Sequence, residues 1–158
     1  MLWTIIIVLV IILDQATKFY VKNNLPLEQK NEVIKNFFYF THVQNTGAAF
    51  GMLKNGRYFF IVLTVIVVGV LVYILVRNNR RFLRLAISFI IAGALGNWID
   101  RVLTGSVTDF LDFYIFGYNY PVFNVADICI NIGTFLLIIY LFFLNPEAIV
   151  KKAGGNSN

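Results

Sequence analysis

A chain of 158 residues in which 59% are hydrophobic and 13% charged carries more apolar surface than one soluble core of that size can hide, since ordinary soluble domains are about 25% charged. The net charge of +5 does not mark a nucleic-acid face, because the basic residues are scattered or lie at segment ends, as membrane topology requires. One cysteine, Cys129, and one histidine, His42, exclude a disulfide framework, a Cys/His nucleophile pair and a multi-histidine metal site. Cys129 sits in an apolar run and reads as a small buried or lipid-facing hydrophobe.

Four segments reach the roughly 20 residues that a hydrocarbon core demands. The first, about 2–21, is apolar from Leu2 to Leu13 and then turns polar at Asp14, Gln15, Thr17 and Lys18. It lacks a basic start and a small-residue cleavage site, so it reads as a retained helix rather than a leader peptide. A segment at about 23–57 follows, in which Val33, Ile34, Phe37, Phe38, Tyr39, Phe40 and Val43 favour strands and Gly47, Gly51 and Gly56 supply turns. A short sheet on the membrane surface is expected there. The second span, about 58–76, has no charge. The link RNNRRFLR at 77–84 holds four arginines and marks a cytoplasmic loop.

The third span, about 82–102, ends in Asn97, Asp100 and Arg101. An aromatic connection at 103–122 contains Phe110, Phe113, Tyr114, Phe116, Tyr118 and Tyr120 and suits the lipid–water interface. The fourth span, about 123–144, opens with Asn124 and Asp127. Lys151 and Lys152 then place the tail inside with the N-terminus. Five basic residues near 23–57 (Lys22, Lys30, Lys35, Lys54 and Arg57) run against the charge rule, but the length of that connection makes them less informative. The expected architecture is a single domain over 1–158: a membrane all-α bundle of four transmembrane helices with a small extracytoplasmic β-sheet and both termini cytoplasmic.

This topology brings three polar clusters to the outer face. Ionisable groups inside a span cost about 2.5–3.5 kcal/mol at the helix centre, so they are usually functional or paired. Each cluster also has a structural reading. Asp14 and Lys18 are one turn apart and can pair. Asn97 shares a helix face with Asp100 and Arg101 and can tie helices together. Asn124 and Asp127 can cap the fourth helix. Asp109 and Asp112 lie in the outer connection, where carboxylates are ordinarily solvated, and Asp112 is read that way.

The chemistry available is narrow. No glycine-rich phosphate loop is present, and outside the tail Ser88 and Ser106 are the only serines. Paired carboxylates remain: two aspartates held close share a proton, so one can activate water while the other protonates a substrate carbonyl. Asp109 and Asp127, on separate elements, could meet in this way. Other readings are a small proton-coupled membrane transporter and a non-catalytic scaffold. A relay needs polar groups through the full depth, whereas these crowd one end and the second span is uncharged.

At these residues the chain resembles the lipoprotein signal peptidase (signal peptidase II) family. DQATK (14–18), NTGAAFG (45–51), GALGNWIDR (93–101), VTDFLDF (107–113) and FNVAD (123–127) resemble its motifs in order; Thr108 stands where a small aliphatic residue is common. The resemblance implies an aspartic endopeptidase of the bacterial inner membrane, with its active site near the extracytoplasmic face. It would cut prolipoproteins just before a diacylglyceryl-modified lipobox cysteine. It implies Asp109 and Asp127 as the catalytic pair, supported by Asp14, Lys18, Asn45, Gly47, Asn97, Asp100, Arg101, Asn124 and Ala126. No metal or cofactor is implied. The implied partners are lipidated prolipoproteins, membrane lipid and the inhibitor globomycin, and no nucleic acid.

Overall fold

A computed structural model of the chain describes residues 1–47, 53 and 56–144. Four helices in it are long and apolar enough to cross a membrane. They are α1 (Leu2–Asn24), α2 (Arg57–Arg77), α3 (Arg81–Thr104) and α4 (Val125–Ile139), the last continued by a π-helical turn over Tyr140–Leu144. The bounds agree with the spans read from the sequence to within about three residues at the ends of the helical runs. The turns expected from Gly51 and the position of Lys151 and Lys152 lie outside the described residues.

α3 is the central helix and packs against α1, α2 and α4. Composition explains its place. Small residues let backbones approach where no hydrophobic force drives helices together, and α3 buries Ala86, Ser88, Ala92, Gly93 and Gly96. α2 is apolar all round and buries only Leu75, as suits a helix facing lipid on several sides. α3 and α4 approach closely at Gly93, where an added Cβ would run into the Ala126 carbonyl oxygen, and at Gly133, where it would stand 2.7 Å from the Ala86 carbonyl oxygen. An apolar cluster of Leu75, Leu83, Ile87, Ile91 and Tyr140 fills the arginine-rich end of the bundle. There the Arg84 guanidinium lies 5.4 Å from the Trp3 ring. The opposite end holds the polar clusters and the sheet.

The sheet is antiparallel, in the order β1 (Lys30–Ile34), β2 (Phe38–Asn45), β3 (Val107–Ile115), β4 (Tyr118–Asn119). Half of it comes from the aromatic connection, which the sequence reading treated as a loop. The physical reason is plain: Val107–Ile115 is as rich in β-branched and aromatic residues as β2, and it pairs with β2 along almost its full length. Phe38 stacks on Phe113 at 4.5 Å between ring centroids. The β3–β4 hairpin turns on Phe116 and Gly117, both with positive φ, the arrangement that two-residue hairpins prefer.

Candidate active site

Asp109 stands on β3, and a bulge fixes what it faces. The β2–β3 register shifts between Phe40 and Val43, so that Val43 pairs with Asp109 and Asn45 with Val107. Asn45 Nδ2 then donates to Asp109 Oδ2 at 2.9 Å. Asn45 cannot reverse its amide cheaply, because its Oδ1 accepts the Gly47 N–H at 2.9 Å.

Asp127 arrives from the other side. The chain entering α4 is pinned to β3, where Leu111 and Phe123 exchange backbone hydrogen bonds of 2.8 and 3.1 Å. This sets the start of α4 beside Asp109. Asn124 and Asp127 form a reciprocal capping box: Asn124 Oδ1 accepts the Asp127 N–H at 3.0 Å, and Asp127 Oδ2 accepts the Asn124 N–H at 3.2 Å. The cap and the site are one structure. With its oxygen held by the cap, Asn124 turns Nδ2 toward Asp109 Oδ1, 2.6 Å away.

Behind the two carboxylates lies a buried layer that decides which way the amides point. Lys18 Nζ has three N–H groups and no acceptor. It meets Asp14 at 2.9 Å, Asp100 at 3.2 Å and Asn97 Oδ1 at 2.9 Å. Asn97 must therefore present its oxygen to Lys18, and its Nδ2 donates to Asp127 Oδ1 at 2.8 Å. The same oxygen accepts from Asn124 at 3.1 Å. One cation thus orients Asn97, and through it the donors of both carboxylates. Asp14 also accepts the Ala126 N–H at 2.9 Å, an orphan donor of the first turn of α4. Asp100 takes the Thr108 N–H at 3.1 Å and the Lys22 ammonium at 3.2 Å. Asp14, Lys18 and Asp100 are at most 1% exposed.

Asp109, Asp127, Asn45, Gly47, Asn97 and Arg101 line one cavity of about 490 Å³. Asp14, Lys18, Asp100, Asn124 and Ala126 sit outside that lining and reach the pair through the bonds just described. Arg101 donates to the Gly47 carbonyl at 2.9 Å and lies over the Phe60 ring at 4.7 Å. Burial first, and the neighbouring Asp127 carboxylate second, push the Asp109 pKa up to about 7, while the Asn45 and Asn124 donors and the Lys18 charge pull it down. An Asp109 carboxyl that keeps its proton up to about neutral pH can act as a proton donor.

Asp112 departs from expectation. It is buried rather than solvated, paired with Lys30 at 2.7 Å and with Thr41 Oγ1 at 2.9 Å. Lys30 is also 4.1 Å from the Tyr39 and Tyr114 rings. This cluster locks β1, β2 and β3 together. His42 is structural as well: its Nδ1 lies 2.7 Å from the Leu25 carbonyl oxygen, which can only accept. Cys129 is buried and free.

Some site residues escaped the sequence reading. Gln15 ties Asp14 to the Gly96 carbonyl, with both bonds at 3.0 Å. Thr64, Tyr120 and Asn131 line the cavity. Asn131 carried a usable signal, an amide in an otherwise apolar span.

The sequence profile of signal peptidase (SPase) II matches residues 6–143. The chain is 44% identical over 149 residues to a lipoprotein signal peptidase of Symbiobacterium thermophilum, covering 93% of this chain and 98% of that one. It is 45% identical over 139 residues to a lipoprotein signal peptidase of Staphylococcus aureus, covering 87% and 85%. A solved bacterial membrane enzyme at 2.3 Å resolution shares 39% identity with a TM-score of 0.85, over 99% of this chain and 92% of that one. A second, at 1.9 Å, shares 43% with a TM-score of 0.82, over 89% and 92%. By the match of its sequence profile over residues 6–143 and by these relatives, this chain belongs to the signal peptidase II family.

Proposed function

We propose that this protein is an aspartic endopeptidase that removes the signal peptide from diacylglyceryl-modified prolipoproteins, cutting before the lipidated lipobox cysteine, with Asp109 and Asp127 as its catalytic pair. Family membership supports the coarser reading, a bacterial inner-membrane hydrolase that removes signal peptides from prolipoproteins. The observation that carries the finer one is the pair itself: two carboxylates from separate elements, Asp109 buried and Asp127 half-buried, held by asparagine donors and open to one cavity.

In this mechanism Asp127 accepts a proton from a water as the water oxygen attacks the scissile carbonyl carbon. Asp109 donates its proton to the carbonyl oxygen. The tetrahedral intermediate then collapses: one of its hydroxyls returns a proton to Asp109 as the C=O bond re-forms, the C–N bond breaks, and the proton held by Asp127 passes to the leaving cysteine nitrogen. The net reaction consumes one water. Asn45, Asn97 and Asn124 hold the carboxylates, and Arg101 lies where it can bind substrate backbone.

The four-arginine link and the N-terminus are cytoplasmic in this reading, and the dyad and sheet lie at the outer face. The signal-peptide helix approaches between α2 and α4. Both helices line the cavity, through Thr64 on one side and Ile130 and Asn131 on the other, and each packs on α3. The lipid chains stay in the bilayer while the scissile bond reaches water. Globomycin would occupy the same cavity. The transporter reading is not favoured, because the buried charged groups among the described residues crowd one end.

The test compares a diacylglyceryl-modified prolipoprotein with its unlipidated form. Mass spectrometry should find a new N-terminal lipidated cysteine only from the first, and globomycin should block its formation. Equal cleavage of both forms would overturn the substrate assignment.

A further inference from the structure

Asn131 is a polar side chain in an apolar helix, and the dyad does not use it. It is the seventh residue of α4, so at 1.5 Å per residue it lies about 9 Å below the helix start and about 6 Å below Asp127. It faces the cavity of the two aspartates and is exposed there. Among the described residues its amide makes no side-chain hydrogen bond. Thr64 of α2 lines the same cavity and is likewise without a side-chain partner among them. An amide left unpaired against hydrocarbon is unfavourable. This residue calls for a partner that arrives with the substrate.

The substrate's own backbone supplies one. A signal peptide crossing the membrane as a helix satisfies its backbone internally. To be cleaved, it must unwind near the scissile bond so that the carbonyl can reach the dyad. Unwinding there frees the last carbonyls of the helix at a depth where lipid offers no donor. If the signal peptide enters with its N-terminus inside, those carbonyls face the α2–α4 opening just below Asp109 and Asp127. Six ångströms of depth corresponds to about two residues of extended chain or four of helix.

Resting on the function proposed above, we infer that Asn131 is a specificity-determining residue: its Nδ2, assisted by the Thr64 hydroxyl, donates to a signal-peptide carbonyl two to four residues before the scissile bond, where the substrate helix ends. Such a contact selects substrates that break their helix at that depth. It is made in the ground state and in the transition state alike, so its loss raises KM and leaves kcat unchanged.

The experiment uses the full-length enzyme in lipid and a diacylglyceryl-modified substrate. Asn131→Leu should raise KM about tenfold with kcat and the thermal unfolding midpoint unchanged, and Asn131→Gln, which keeps a donor, should restore KM. In parallel, substrates carry a backbone ester in place of the amide at each of the three positions, which weakens the carbonyl as an acceptor. One ester should raise KM for the wild type but not for Asn131→Leu. A wild-type KM in Asn131→Leu would overturn the inference, as would a Gln variant as impaired as Leu or an ester penalty equal in both enzymes. Failure of the wild type to cleave the parent substrate would instead overturn the function on which the inference rests.

Discussion

Asp109 receives amide donors on both oxygens, from Asn124 and Asn45. Those donors stabilise its charged form, so they hold its pKa below where burial alone would put it. If Asp109 is the acid of the pair, activity should fall as pH rises through about 7. Asn45→Ala removes one stabiliser of the anion, raises the Asp109 pKa further, and should move the alkaline limb of kcat/KM to higher pH. A limb that stays in place or moves down contradicts the role. Lys18 makes a larger prediction. Lys18→Met leaves Asp14 buried without its cation and should cost about 3–5 kcal/mol of stability, read as a lower unfolding midpoint in detergent. Adding Asp14→Asn should recover part of the loss. At this scale the sequence was informative about partners one turn apart: Asp14 with Lys18, and Asn124 with Asp127. It did not reveal that Asp112 is buried, because Lys30 and Thr41 lie about seventy or more positions away and meet it only through strand pairing.

Elements set the spacing on which those bonds depend. An added Cβ at Gly96 would stand 2.5 Å from Asp14 Oδ2 and 3.2 Å from the Ala126 Cβ. Gly96→Ala should displace the Asp14 carboxylate, and with it the first turn of α4, at a cost of about 1–3 kcal/mol and at least a tenfold loss of cleavage rate. Gly133→Ala crowds the Ala86 carbonyl on the same helix pair, more than a turn further from the dyad. It should lower the unfolding midpoint while costing less in rate per folded enzyme. Equal losses of rate in the two variants would show that Gly96 acts only through general packing. The four spans were legible because lipid imposes a length and a composition on each. β3 was not, because its aromatic residues suit an interfacial loop as well as a strand. Only the presence of β2 as a partner decides between them.

For the molecule as a whole, the account depends on a polarity of ends. The arginine link and the base of α1 meet at one end, through Arg84 and Trp3, and the sheet, the dyad and the fully exposed hairpin tip Phe116 lie at the other. In a Cys129→Ala background, Phe116→Cys should react with a membrane-impermeant maleimide in intact cells, and Asn79→Cys only after permeabilisation. The reverse pattern would invert the topology. The motifs made the family legible from residues alone, yet the relay from Lys18 through Asn97 and Asn124 to the two carboxylates appears only once α1, α3, α4 and the sheet are assembled. The claim on which the rest depends is that Asp109 and Asp127 act together on the peptide bond. It is tested most directly by measuring cleavage of a diacylglyceryl-modified prolipoprotein by Asp109→Asn and Asp127→Asn in lipid. Each variant should insert and fold, and each should lose at least a thousandfold in kcat. Turnover by either folded variant within tenfold of the wild type would contradict the mechanism.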